Sequence, residues 1–208
     1  MKLETIYNSL VEIMQNEMDF EKALKLKEQL EKAIREETCY KTTSKTRVNA
    51  IKRVASKLNI RPALTGYGIC NDYKCVTDSY HAIMIYEDSM PLKLVTTDNE
   101  LADKVGKENC IYGTYPNFNS FINFDKSLYN TTDLDLDDIM QYYKLHKKDA
   151  DKEPYTIKNV NCNIVYLKNV IDVLGTNITT YIPKDDYRPI YLVNDKNEIG
   201  LVLPIKKY

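Results

Sequence analysis

The sequence predicts an α+β protein in which amphipathic helices lie against antiparallel sheets, preceded by a helical N-terminal extension. Three observations carry this expectation. The first 37 residues contain no Gly or Pro. Two later stretches, "SKTRVNAIKRVASKL" and "NIVYLKNVIDVLG", space their apolar residues at helical intervals. Around them run short β-branched and aromatic segments, punctuated by Asn-Asp and Gly-containing turns.

Bulk composition narrows the class. A chain of 208 residues builds one good core, or one domain with an appendage. Its hydrophobic content of 43% and charged content of 28% are those of an ordinary globular protein. No run is long enough to cross a bilayer and the N-terminus lacks the apolar core of a signal peptide, so a cytoplasmic location is expected. The five cysteines, Cys39, Cys70, Cys75, Cys110 and Cys162, form no CxxC pair and no Cys/His ligand set. They read as reduced, mostly buried thiols, with Cys70 and Cys75 placed to face each other across a hairpin. A net charge of −1 gives no global positive field toward nucleic acid, but it is compatible with a local basic face.

Taken in order, residues 1–40 form a helical unit. Leu3, Ile6, Leu10, Ile13 and Met14 make one apolar stripe, and Ala23, Leu26, Leu30 and Ala33 make another. A helical hairpin and one long helix fit equally well. Such stripes need cover, either from a partner or second copy, or from the protein's own body. A polar linker, Tyr40 to Thr43, separates this unit from a domain spanning 44–208. The helix expected over 46–58 places Val48, Ile51, Ala55 and Leu58 on one face. Lys45, Lys52, Arg53 and Lys57 lie on the other, and no acid occurs between Lys41 and Asp72.

"RPALTGYGICNDYKCVTDSYHAIMIY" then reads as two strands around the Asn71-Asp72 turn, the second opening on Thr77-Asp78-Ser79-Tyr80-His81. An enlarged, less regular middle follows over about 87–153. Its acidic run "TTDLDLDDIM" lacks the Gly and Glu of a calcium loop. It reads instead as the front of a helix ending in His146-Lys147-Lys148, with charges that complement the helix dipole. A strand "PYTIKNV", the helix stopped by Gly175, and the strands "NITTYIP", "RPIYLVND" and "EIGLVLPIKK" complete the chain.

Catalytic constellations are not evident. Asp78 and His81 are the one tempting pair, but three residues apart on a strand they point to opposite faces. There is no P-loop, GxSxG or HExxH motif. The expectation is a protein that is not an enzyme and uses no cofactor.

Two halves echo each other. Arg61-Pro62 and Arg188-Pro189 each open a strand that runs into Asn-Asp, and each follows an amphipathic helix. A pseudo-two-fold domain would result, with two helices against two antiparallel sheets. In this order "RVNAIKRVASKLNIRPALTGYGI", "CVTDSYHAIMI", "GTYPNFNSFINF" and "RPIYLVNDKNEIGLVLPIKK" resemble the bacterial DNA polymerase sliding clamp family. They are similar to its first helix and strand, its A-T-D-G-H-R-L-A signature, its G-x-F-P-D-Y segment and its closing strands, and with the strand and helix before the last they touch about half the chain.

The resemblance implies a DNA-clamp-like domain acting as an accessory protein of DNA replication. Inner-helix cations, here Lys45, Arg47, Lys52, Arg53, Lys57 and Lys168, would contact duplex DNA without reading sequence. Thr77 and Asp78 match the signature, while Ser79, Tyr80, His81 and Ala82 replace its Gly, His, Arg and Leu. With Leu201, Leu203 and Pro204, the residues Thr77, Tyr80 and His81 are the candidates for a shallow groove that takes peptides from a polymerase or other replication proteins. A clamp chain carries three such domains, and this one has room for one, as in a shortened phage or mobile-element relative. The alternative is a clamp-fold interaction or decoy protein that binds replication proteins or a host clamp without encircling DNA. Self-association through the N-terminal helices is the remaining partner expectation, and no membrane is implied.

Overall fold

The computed structural model describes residues 45–57, 61–86, 90–91, 94–97, 113–185 and 187–206. The N-terminal helical unit, its linker, Leu58, Cys39, Cys110 and much of the segment 87–112 lie outside these residues.

Helix α1 (Lys45–Val54) buries Val48, Ala50, Ile51 and Val54 and carries Lys52 and Arg53 in its last turn, where cations complement the exposed carbonyls. It ends earlier than its apolar spacing predicts. Ser56 N–H instead donates to the carbonyl of Leu64 at 2.9 Å. Arg61-Pro62 does not open a strand, as the sequence suggests. Pro62 stands first in a 3-10 turn (Pro62–Thr65), which its fixed φ favours, and the Thr65 hydroxyl donates to the Pro62 carbonyl at 2.7 Å.

Three strands follow, where two are expected: β1 (Gly68–Cys70), β2 (Tyr73–Thr77) and β3 (His81–Ile85). Two tight turns separate them, with Asn71 at φ 55 and Ser79 at φ 84. The chain then adds short helix α2 (Asn119–Ile122), strand β4 (Tyr129–Thr132) and helix α3 (Leu136–His146). The Asp135 carboxylate caps α3 by accepting from the N–H groups of Asp137 and Asp138, the bland role expected of this acidic run. "PYTIKNV" is half a hairpin rather than one strand, because Lys158 at φ 58 turns β5 (Tyr155–Ile157) into β6 (Val160–Cys162).

Helix α4 (Ile164–Leu174) matches its predicted extent, capped by the Asn163 side chain and stopped at Gly175, whose φ of 90 suits a residue without Cβ. Strands β7 (Ile178–Pro183), β8 (Ile190–Asn194) and β9 (Ile199–Val202) close the chain.

Among the described residues, seven strands form one antiparallel sheet in the order β1-β2-β3-β9-β8-β7-β4, and β5-β6 stands as a separate ribbon. The arrangement differs from two equal sheets because β3 pairs with β9, His81 opposite Val202 and Met84 opposite Ile199. Helices α1 and α4 pack against each other and against this sheet. Val76, Ile83, Ile85, Ile190, Leu192 and Val202 face the helices. Alternate residues (Cys75, Ala82, Met84, Tyr191, Ile199 and Leu201) face the opposite side, under Phe118 and its aromatic neighbours. The central strands are thus buried on both faces, which is why "AIMI", Ala82 to Ile85, reads as an unbroken apolar run.

Candidate nucleic-acid and peptide surfaces

The polar cluster Thr77–His81 is the turn that joins two strands rather than the opening of one: Thr77 ends β2, His81 begins β3, and the chain reverses between them. The Thr77 hydroxyl donates to the His81 carbonyl at 2.7 Å and accepts from Ser79 N–H at 3.0 Å. Asp78 Oδ1 accepts from Tyr80 N–H at 2.8 Å and His81 N–H at 3.0 Å, and lies 2.8 Å from His81 Nδ1. The expectation that Asp78 and His81 point apart is therefore wrong, because the turn folds the carboxylate back over the imidazole. Burial pushes the Asp78 carboxyl up. The hydrogen bond and charge of His81 and the two N–H groups outweigh it, leaving the group below the usual carboxylate range. His81 stacks on Tyr166 at 4.5 Å, and its Nε2 faces Asn169 of α4 at 3.5 Å. The dyad touches no nucleophile among these contacts, and its geometry ties a hairpin turn to a helix.

The two segments of the candidate peptide site meet. Leu203 N–H donates to the Tyr80 carbonyl at 2.9 Å, continuing the β3–β9 pairing past the strand end. Thr77, His81 and Leu201 are buried. Tyr80 at 59% and Leu203 at 37% are exposed, with Pro204 half-buried beside them. Beside Tyr80 opens a cavity of about 330 Å³, bordered by Arg53, Lys57, Asp78, Tyr80, Tyr166 and Asn169. Tyr80 and Tyr166 stack offset at its wall, ring centroids 5.9 Å apart.

The candidate DNA-contacting cations separate into two groups. Lys45 and Lys57 are exposed and Lys52 is half-buried. Lys45, Asn49 and Lys52 follow one another at helical steps on the side of α1 away from the core. Arg47, Arg53 and Lys168 instead have internal partners. Arg47 Nη2 meets Glu198 Oε1 at 2.7 Å, and Glu198 is 1% exposed. Its other oxygen accepts from Asn194 Nδ2 at 2.7 Å, fixing the turn between β8 and β9. Arg53 reaches across to α4, donating from Nε to Asn169 at 2.9 Å and from Nη2 to Asp172 at 2.7 Å. Lys168 pairs with the same Asp172 one turn earlier.

Sequence reasoning passed over Glu198, Asn169 and Tyr166. Asn169 had a legible signal, a polar residue inside the apolar stripe of "NIVYLKNVIDVLG". Glu198, in a polar turn, had none. Burial pushes the thiols of Cys75 and Cys162 up, to about 12 for Cys162, as expected of packing residues. Cys70 is half-exposed and lies near Asn119. Among the described residues, no group of three His, Cys, Asp or Glu is placed to hold a metal ion, and no helix is long and apolar enough to cross a membrane.

No family model matches the chain, and no curated protein does. Its structure is similar to the crystal structure of the DNA polymerase III beta chain from Streptococcus pneumoniae, with a TM-score of 0.53 at 14% sequence identity. The match covers 78% of this chain and 62% of that one, less than two thirds of the larger molecule. At this identity the likeness establishes a clamp-like fold of helices and antiparallel sheet, and only the fold.

Proposed function

We propose that this protein is a clamp-like accessory factor of DNA replication that touches duplex DNA through the α1/α4 face and tethers a protein partner at the Tyr80–Leu203 surface. The observation that carries this reading is the pair of helices lying side by side on one sheet, with Lys45, Lys52 and Lys57 on α1 and just beyond it, in a fold similar to that of a polymerase beta chain. Each helix precedes a three-stranded meander, and the last strands of the meanders pair. We read this as a pseudo-two-fold repeat of one clamp-like domain. The role is positional and non-enzymatic: lysines neutralise phosphates without reading bases. Tyr80, Leu203 and Pro204 offer a partner peptide one aromatic and two apolar anchors.

One observation favours a second reading, an interaction protein of clamp fold that does not hold DNA. Arg47, Arg53 and Lys168 all meet carboxylates within the chain, which leaves the lysines of α1 and its C-terminal extension to supply the field. Retention on closed circular duplex, compared with the same DNA after linearisation, separates the two. A clamp-like assembly stays on the circle and runs off the linear form, and its mass by light scattering exceeds that of one chain. A monomer that binds neither form, yet captures a replication protein through a surface abolished by Tyr80→Ala, establishes the second reading.

A further inference from the structure

We infer that Asp172 is a built-in competitor for nucleic-acid phosphate, a carboxylate that occupies cations of the helical face and keeps its DNA contact weak; this rests on the reading of α1 and α4 as the DNA-facing surface. Both carboxylate oxygens are engaged, and by cations from two helices. Oδ2 takes the Arg53 guanidinium at 2.7 Å, while Oδ1 takes the Lys168 ammonium. Arg53 is oriented further by Asn169 Oδ1 at 2.9 Å, and the Lys168 ammonium also stands 5.8 Å from the centroid of the Tyr143 ring.

The two cations are not equally available. The Arg53 side chain is 42% exposed, that of Lys168 only 13%. A phosphate approaching Arg53 meets a guanidinium that already holds a carboxylate of the same charge and similar geometry. Binding there exchanges one anion for another, so it adds little net attraction and displaces few counterions. Lys45, Lys52 and Lys57 then set the salt dependence of the wild-type protein. A contact limited in this way suits a surface that must move along DNA rather than grip one place.

The test is a double-mutant cycle on the full chain, with a 30-base-pair duplex probe titrated by fluorescence anisotropy between 50 and 300 mM salt. Asp172→Asn keeps the side-chain shape and one acceptor while removing the competing charge. Freeing Arg53 steepens the log-log salt slope by roughly 0.9, equivalent to about tenfold tighter binding near 0.1 M salt. Arg53→Gln leaves the wild-type slope close to unchanged, but removes the whole gain when placed in the Asp172→Asn background. Asp133→Asn, an exposed acid between β4 and α3, makes the same change in net charge away from the face and leaves the slope as it was. Urea midpoints for all five proteins show which of them are folded, and Arg53→Gln carries the test if Asp172→Asn is not.

A wild-type protein that binds with salt dependence, alongside an Asp172→Asn variant of unchanged slope, overturns the inference and leaves the DNA-facing reading standing. Equal gains from Asp172→Asn and Asp133→Asn reduce the effect to net charge and overturn it as well. A loss of about 0.9 in slope on Arg53→Gln alone does the same, since Arg53 would then be an uncompeted contact. Absence of binding by every protein overturns both the inference and the reading beneath it.

Discussion

Arg47 is predicted to act through the fold rather than through DNA, and Arg47→Ala isolates that role. The guanidinium lies 2.7 Å from a Glu198 carboxylate that is 1% exposed, and is itself 13% exposed. Truncation leaves Glu198 buried with the Asn194 amide on its other oxygen. Removing one member of such a pair costs about 3–5 kcal/mol. Because the Arg47 side chain keeps some exposure while Glu198 has almost none, the lower end of about 3 kcal/mol is expected. With an unfolding slope of about 2 kcal/mol/M, the urea midpoint falls by about 1.5 M. Adding Glu198→Gln to Arg47→Ala removes the stranded charge while keeping an acceptor for Asn194, and recovers most of that loss. Urea denaturation followed by circular dichroism reads both effects. A midpoint shift below about 0.5 M for Arg47→Ala, or strict additivity in the double variant, refutes the buried-pair argument.

The remaining predictions concern the sheet and the turn. A Cβ on Gly200 would stand 2.1 Å from Val170 Cγ1 and 3.1 Å from Leu174 Cδ1. Gly200→Ala therefore forces α4 outward and lowers stability by about 1–3 kcal/mol by urea titration; an unchanged midpoint contradicts the close packing of α4 on β9. Because the folded Asp78 carboxyl lies below its unfolded value, its stabilising contribution is complete above the unfolded pKa of about 4 and is lost as pH falls toward the folded value. Asp78→Asn is accordingly less stable than the wild type at pH 7, with a gap that narrows below about pH 4. A gap that stays constant down to pH 2 argues against the turn network.

How much of this was legible in the sequence depended on how local the determining physics is. Helix α4 was readable to its ends because Asn163 and Gly175 are local cap signals beside an apolar stripe. The strands β7 to β9 were readable for the same kind of reason, alternation bounded by turn residues. The turn Thr77–His81 was missed because its polar residues bond to one another only after the chain reverses, and Ser79 at positive φ leaves no strong mark in sequence. The junction of β3 with β9 joins residues more than a hundred positions apart. Local spacing therefore suggested two sheets where one continuous sheet forms. On the candidate surface, lysine spacing on α1 was visible, and so was Asp172 beside Lys168. The diversion of Arg47 and Arg53 was not, since their partners Glu198, Asn169 and Asp172 lie on distant elements. Helical periodicity shows which side chains leave the core, not which of them remain free.

On the proposed function, the lysines of α1 and its C-terminal extension meet the phosphate backbone without reading sequence. The most direct measurement is the salt dependence of duplex binding by the wild type and by the triple variant Lys45→Gln, Lys52→Gln, Lys57→Gln. These three residues are preferred to Arg47 and Arg53, whose substitution would disturb internal ion pairs. Equal affinity for unrelated duplex sequences is expected, with a log-log slope that flattens by roughly 0.9 for each contact removed, up to about 2.7 for the triple variant, at an unchanged urea midpoint. Salt-independent binding, or identical slopes for the wild type and a folded triple variant, would contradict it.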